Sequence, residues 1–242
     1  MCSDAARAAA GADAIAELDA ITRRLRRECP WDRAQDERSI VPHTVEEAYE
    51  LADAAAAGDD DKLLDELGDV LFQVHFLALL LEERGAGDLR AVAENTTAKL
   101  IRRHPHVFAE VEVEGTDDVR SNWDRIKREQ EGRGSAGPFA DVPENLPGLL
   151  YARKLQRRAA SAGLPGPAAG STDAAARLEQ AVAKLREVPI AADPEDRTDE
   201  DRDRVEEAIG QLLLATTDLA RVTRVDPELT LRRAADALRD QR

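Results

Sequence analysis

The chain contains few aromatic residues, few cysteines and no long apolar run. Only 3% of its 242 residues are aromatic although 43% are hydrophobic, so a core depends on close packing of small side chains. Two cysteines cannot build a disulfide framework and fit a reducing compartment, which predicts a cytoplasmic protein. The longest apolar run, 74–81, is too short to cross a bilayer, and the N-terminus has no signal-peptide pattern.

An excess of basic residues is also missing. The chain has 34 Lys and Arg against 49 Asp and Glu, a formal net charge of −15. Binding to nucleic acid or to an anionic membrane depends on a basic surface that neutralises phosphates. We therefore expect neither nucleic acid nor membrane as a partner.

Strand patterns are scarce, and the only short alternating run is VEVEG at 111–115. Alanine, leucine, arginine and glutamate dominate the long segments, which predicts an all-α protein. The predicted helices are about 14–28, 43–57, 60–84, 87–104, 116–131, 149–162, 171–187, 200–223 and 227–240.

The chain divides at a stretch rich in glycine and proline, 132–148, which we interpret as a linker. Before it we expect a flexible tail at 1–14 and a helical domain at 15–131, and after it a second helical domain at 149–242. The two domains look like a diverged duplication, because ELGDVLF at 66–72 resembles AIGQLLL at 208–214.

Acidic residues of the predicted helix 43–57 share one face. With Glu46 at 0° and about 100° per residue, Glu50 falls at about 40°, Glu47 at about 100° and Asp53 at about −20°. A solvated face usually carries compensating cations one turn away, yet neither Lys nor Arg occurs between Arg38 and Lys62. An uncompensated set of like charges is more easily explained if a cation binds among them.

The next predicted helix carries Glu66 and Asp69 on one face, which Gln73 continues. Its apolar remainder indicates burial, where carboxylates are costly unless paired or metal-bound. Gly68 in mid-helix suggests close backbone packing. The short connection at Gly58 makes the two helices antiparallel neighbours, so their acidic faces should meet. An all-oxygen site suits Mg²⁺, with Mn²⁺ as a substitute.

A di-iron carboxylate bundle is the obvious alternative to a magnesium site. It requires Glu-x-x-His on two helices, which neither Glu47-x-x-Glu50 nor Glu66-x-x-Asp69 supplies. The di-iron interpretation therefore fails.

Basic residues follow the acidic helices, with Lys99 and Arg103 one turn apart and Trp123 and Lys127 one turn apart. In so acidic a chain they could clamp a polyphosphate. Charges that complement a helix dipole explain Arg102 and His104 equally well, and a tryptophan at helical spacing is more often a core residue. No P-loop motif is present.

Five segments in order resemble the MazG family: CPWD at 29–32, EEAYE at 46–50, ELGDVLFQ at 66–73, KLIRRHPHVF at 99–108 and WDRIK at 123–127. The resemblance is dense over 15–131 and fainter from 144 onward. It implies a helical bundle of the all-α nucleoside triphosphate pyrophosphatase type, built from two tandem MazG-like halves and forming a homodimer. It further implies Mg²⁺-dependent hydrolysis of nucleoside triphosphates to monophosphate and pyrophosphate.

The resemblance also assigns roles to individual residues. The metal ligands would be Glu46, Glu47, Glu50, Glu66 and Asp69. One of Glu46, Glu47 and Glu50 would orient or deprotonate the attacking water. Lys99, Arg103 and Lys127 would contact the phosphates, and Trp123 would lie near the nucleotide.

The chain departs from the family pattern in its second half. There the repeat places Glu179, Gln180, Ala183, Ala208 and Gln211 where the first half has its five acids. We expect a catalytic first half and a non-catalytic second half, and substrates that include noncanonical nucleotides. Two alternatives stay open: an enzyme restricted to dUTP or dCTP, and an acidic regulatory or nucleotide-sensing module without turnover.

Overall fold

The computed structural model describes residues 4–109, 115, 122–123, 126, 137–140, 142–188 and 198–239. Within these residues the chain forms ten helices and no strand, so the predicted all-α class is confirmed. They are α1 (Asp4–Glu28), α2 (Pro30–Ala34), α3 (Glu37–Ala57), α4 (Asp60–Glu83), α5 (Leu89–Arg103), α6 (Pro105–Phe108), α7 (Gly148–Ser161), α8 (Ser171–Glu187), α9 (Asp199–Val222) and α10 (Pro227–Arg239).

Two helices begin earlier than the sequence pattern predicts. The first, α1, already begins at Asp4, and α3 begins six residues before the predicted start at His43. The side chain of Asp36 accepts a hydrogen bond from the Ser39 amide, and the Ser39 hydroxyl accepts one from the Asp36 amide. This capping box stabilises a first turn, which then continues through Pro42.

The sequence analysis did not predict the short helices α2 and α6. Each begins with a proline, and a single residue, Cys29 or His104, separates it from the preceding helix. The predicted helix at 116–131 and the run VEVEG lie almost wholly outside the described residues. The predicted tail, linker and domain boundaries stay predictions.

The chain separates into two units, Met1–Arg102 and Arg103–Arg242. In the first unit α4 contacts both α1 and α3. A small core of Ile40, Phe76 and Leu80 lies between these helices, with Phe72 and Leu77 packed against it. The core is small because many large apolar side chains of the described residues are exposed, and polar contacts supplement it.

Two arginines fasten α1 to α4. Arg23 binds both carboxylate oxygens of Glu82, and Arg26 does the same with Glu83. Arg26 also donates to the carbonyl oxygens of Asp32 and Gln35, and its guanidinium lies 5.8 Å from the Phe76 ring centre. Bidentate pairs of this kind hold the α1–α2 segment at a defined angle to α4.

In the second unit α9 contacts α7, α8 and α10. Most of the described buried hydrophobic positions are alanines, as the composition predicts: Ala159, Ala168, Ala174, Ala181 and Ala208. Among the residues that the structure describes, no helix combines the length and the hydropathy needed to cross a membrane.

Candidate active site

The turn between α3 and α4 brings their polar faces together. Gly58 ends α3 in the left-handed conformation at φ 69°, which glycine adopts without strain. Asp59 then caps α4 by accepting a hydrogen bond from the Lys62 amide at 3.0 Å. With only two residues between the helices, α3 and α4 run antiparallel and in contact.

Three of the five predicted metal ligands converge across this helix pair. Glu47 of α3 and Glu66 and Asp69 of α4 each offer a carboxylate oxygen, and these oxygens lie within 4.8 Å of one another. Glu66 is only 5% exposed, Glu47 is half-buried and Asp69 is exposed. The three carboxylates therefore range from the buried Glu66 to Asp69, which solvent can reach.

All five acids act on one another electrostatically. The pKa of Glu47 is raised, first by burial and then by the negative charges of Asp69, Glu50, Glu66 and Glu46. Like charges at close range disfavour ionisation of Glu47. We call these five residues the carboxylate cluster.

The carboxylate cluster has little compensating charge among the described residues. Lys62 Nζ lies 4.0 Å from Glu66 Oε1, the limit for an ion pair, and its side chain is half exposed. His43 Nδ1 lies 3.2 Å from Glu46 Oε2. Several carboxylate oxygens converging without nearby arginines are a donor set that fits a hard divalent cation.

Next to Asp69 the surface of α4 is open. A Cβ added at Gly68 would meet no described heavy atom within 4 Å, so the close backbone packing expected there is absent from the described residues. Gly68 instead lines a shallow depression with Asp61, Lys62, Leu64, Asp65 and Asp69. A ligand can therefore approach the cluster from this side.

The predicted phosphate-binding residues are described in part. Lys99 and Arg103 are half-buried one turn apart on α5, and Lys127 lies outside the described residues. Trp123 is half-buried and meets the ring of His104 edge-on, with 4.9 Å between ring centres. Their contacts with a nucleotide stay predictions.

Two residues near the carboxylate cluster were not assigned a role from the sequence. Lys62 precedes Glu66 by one helical turn, and that spacing is a signal the sequence contained. Gln73 continues the acidic face of α4 and is buried, with a side-chain oxygen that has no hydrogen-bond partner among the described residues. No sequence pattern distinguishes such a glutamine from a solvated one.

Known proteins are similar to this chain over most of its length. It is 37% identical over 207 residues to the nucleoside triphosphate pyrophosphohydrolase of Escherichia coli (strain K12), which covers 85% of this chain and 76% of that protein. The chain belongs to the MazG family.

A family model shows which part of the chain contains the MazG domain, and further relatives match the chain. The model of the MazG nucleotide pyrophosphohydrolase domain matches residues 35–108, the segment that holds the whole carboxylate cluster. The Thermotoga maritima protein named nucleoside triphosphate pyrophosphohydrolase/pyrophosphatase MazG is 35% identical over 220 residues, 90% of this chain and 80% of that protein. The nucleoside triphosphate pyrophosphohydrolase of Mycolicibacterium smegmatis is 36% identical over 156 residues, which are 63% of this chain and 47% of that protein.

Membership of the MazG family makes the chain a hydrolase of the nucleotide pyrophosphohydrolase class, as the sequence resemblance predicted. The family acts with metal ions in general, and the converging oxygens of Glu47, Glu66 and Asp69 could hold one.

Proposed function

We propose that the chain hydrolyses ribo- and deoxyribonucleoside triphosphates to monophosphate and pyrophosphate with Mg²⁺ held by the carboxylate cluster. The observation that carries the proposal is the convergence of three carboxylate oxygens within 4.8 Å in the segment that matches the family model. Mn²⁺, which prefers the same oxygen ligands, would substitute.

The reaction is a displacement at the α-phosphorus. A water oxygen bonds to that phosphorus, the bond to the oxygen bridging the α- and β-phosphates breaks, and pyrophosphate leaves. One of Glu46, Glu47 and Glu50 orients the water and accepts its proton, which then passes to solvent. A bound divalent cation supplies neutralisation of the charge on the α-phosphate and the leaving pyrophosphate.

Basic side chains bind the rest of the triphosphate in this proposal. Lys62 is the described ammonium group nearest the cluster, at 4.0 Å from Glu66, and its side chain is half exposed. The family resemblance adds Lys99, Arg103 and Lys127 as phosphate contacts and Trp123 as a neighbour of the nucleotide.

We further propose a homodimer in the cytoplasm, with catalysis in the first half and a second half that is non-catalytic. Support for the division comes from the second half's neutral residues, Gln180, Ala183, Ala208 and Gln211, at positions equivalent to four of the five acids.

Noncanonical nucleotides are the proposed substrates of interest. A narrower preference for dUTP or dCTP is the alternative within the same chemistry.

Product analysis in ¹⁸O-labelled water tests the proposal. The full-length chain is incubated with a panel of NTPs and dNTPs and Mg²⁺, with and without EDTA. We expect label in the monophosphate, unlabelled pyrophosphate, and no reaction with EDTA. Diphosphate plus orthophosphate would contradict attack at the α-phosphorus, and nucleotide binding without turnover would favour a sensing module.

A matched pair of variants then tests the location of the site. Glu47→Gln removes a charge from the carboxylate cluster, and Glu179→Gln makes the same change in the second half. We expect the first to abolish turnover and the second to leave it within about twofold of the unmodified chain, as for most surface changes away from a site.

A further inference from the structure

Gln73 is a buried polar residue whose structural partner is missing. Gln73 is 7% exposed, and its side-chain oxygen, Oε1, has no hydrogen-bond partner among the described residues. Buried carbonyl oxygens in folded proteins nearly always accept a hydrogen bond, because an unmade one is costly. Because no described protein group donates to this oxygen, it is open to a donor that a ligand supplies.

Gln73 belongs to the same face of α4 as the acids. With Glu66 at 0° and about 100° per residue, Asp69 falls at about −60° and Gln73 at about −20°. Around the axis of α4, the Gln73 side chain therefore points between the directions of Glu66 and Asp69. Along the axis it lies one to two turns beyond them, a distance of about 6 to 10 Å.

The other helix indicates what lies at this level. Glu47 of α3 is level with Glu66 and Asp69 of α4, since their oxygens converge. Because the helices are antiparallel, a step forward from Asp69 to Gln73 corresponds to a step back from Glu47 to His43. His43 is at about 60° on the wheel that places Glu50 at about 40° and Glu47 at about 100°, so it shares their face.

The groove between α3 and α4 has two chemically different ends. At the Gly58 end, where the first turn of α4 carries Asp60 and Asp61, the ammonium group of Lys62 is the charge that can bind a phosphate. At the other end His43 lies 6.2 Å from the ring of Trp31, measured between ring centres, and Trp31 is 52% exposed. Exposed aromatic rings are surfaces on which a nucleobase stacks.

We propose that the side-chain amide of Gln73 recognises the nucleoside part of the substrate, with Oε1 accepting a hydrogen bond from a sugar hydroxyl or a base amino group. The triphosphate then runs from the carboxylate cluster toward Lys62, and the nucleoside runs toward His43 and Trp31. Gln73 is thus a specificity-determining residue and takes no part in proton transfer. The inference rests on the proposed function and assigns the substrate's orientation in the same site.

The test compares Gln73→Met with Gln156→Met in the full-length chain. Gln156, in the second unit, also has a buried Oε1 without a partner among the described residues, although its Nε2 donates to the Leu214 carbonyl. Each variant replaces the amide by an apolar chain of similar length. Circular dichroism confirms folding, and Gln73→Leu serves as a second variant.

We expect Gln73→Met to lower kcat/KM about five- to tenfold for nucleotides that carry the donor, the effect of one hydrogen bond. Nucleotides without the donor should be unaffected, as should inhibition by inorganic tripolyphosphate, which has no nucleoside. Dideoxynucleotides identify a sugar hydroxyl as the donor, and ITP compared with ATP identifies a base amine. Gln156→Met should keep the unmodified selectivity.

Two results would overturn the inference. One is unchanged selectivity in folded Gln73→Met and Gln73→Leu, and the other is an equal loss for every nucleotide together with weaker tripolyphosphate inhibition. A wild-type chain that hydrolyses no nucleotide would instead contradict the proposed function, so the two failures are distinguishable.

Discussion

Two helix pairs in this chain have the same arrangement but use buried carboxylates in opposite ways. The first helix pair, α3 and α4, packs with α1, and the second helix pair, α8 and α9, packs with α7. In the first, Glu66 is 5% exposed among like charges, with Lys62 at 4.0 Å. In the second, Asp218 is 3% exposed and accepts hydrogen bonds of 2.6 Å from the Ala168 amide and Arg221 Nε.

The difference is the one we expect between an acid that serves the fold and acids that bind a ligand. Asp218 ties the segment before α8 to α9, and Arg221 completes the link by donating to the Ala168 carbonyl. The carboxylate cluster has no comparable set of described donors, and the negative charges of four members raise the pKa of Glu47. A compensating ligand would explain why the chain keeps this set of acids, whereas the second helix pair pairs the acid that it buries with described donors.

The position equivalent to Lys62 strengthens the comparison. In the repeat it is Arg204, whose guanidinium pairs with Glu200 at 2.5 Å and with Asp201 at 3.6 Å. The cation of the second helix pair is therefore occupied by neighbours on its own helix. Lys62 is at the edge of ion-pair distance from its nearest acid and is available to a phosphate.

The largest expected effect is on turnover in the carboxylate cluster. We expect Asp69→Asn to lower kcat by roughly 10³-fold or more, since it removes a charged ligand of the cation that would neutralise the developing negative charge. The matched change in the second helix pair is Gln211→Ala, which we expect to leave kcat within about twofold. Steady-state release of pyrophosphate measures both, and equal losses would contradict the distinction between the pairs.

A second prediction concerns the contribution of Asp218, in the second helix pair, to the free energy of unfolding. Asp218→Ala leaves Arg221 and the Ala168 amide without their acceptor, and we expect it to lower the free energy of unfolding by roughly 2–4 kcal/mol. Urea denaturation followed by circular dichroism gives the value. The control, Asp173→Ala, breaks an exposed pair with Arg177 and should cost about 1 kcal/mol or less. A loss as small as the control's would show that Asp218 does not hold the fold.

A third prediction distinguishes the two equivalent cations. We expect Lys62→Met to lower kcat/KM about tenfold or more through the loss of a phosphate contact. Arg204→Met breaks surface pairs only and should change kcat/KM by less than about twofold. Initial rates over a range of nucleotide concentrations provide the comparison. A Lys62→Met enzyme with unchanged kinetics would remove Lys62 from the site.

The smallest expected effect is on the pH dependence of stability without metal. Because the pKa of Glu47 is raised in the folded chain, the folded state holds this proton to higher pH than the unfolded state does. Ionisation of Glu47 therefore makes stability fall as the pH rises from the ordinary glutamate range through the raised pKa. Thermal melts in EDTA should show this fall reduced in Glu47→Gln and retained in Glu179→Gln. An identical pH profile for Glu47→Gln and the unmodified chain would count against the repulsion.

Much of the cluster follows from local periodicity. The spacing of Glu46, Glu47 and Glu50 places them on one helix face, and the short turn at Gly58 requires the next helix to pack against it. Both steps involve neighbours in the chain, where helix geometry is sufficient. The all-α class follows equally from composition and the scarcity of strand patterns.

Other features depend on contacts that periodicity does not encode. The early start of α3 results from a side-chain capping box at Asp36 and Ser39, and the helix continues through Pro42. The unpaired oxygen of Gln73 is visible only once its surroundings are known. Mid-helix glycine suggested close packing at Gly68, but the position is open among the described residues, because a glycine does not reveal whether anything approaches it.

The most direct test of the central claim is the binding of Mn²⁺ to the full-length chain without nucleotide, followed by electron paramagnetic resonance. The carboxylate cluster should bind the ion in the unmodified chain, and Glu66→Gln should weaken binding about tenfold or more, because it removes the buried ligand charge. Glu179→Gln should bind as the unmodified chain does. Equal Mn²⁺ affinity in Glu66→Gln and the unmodified chain, or no binding by either, would contradict the assignment of a metal site to the first helix pair.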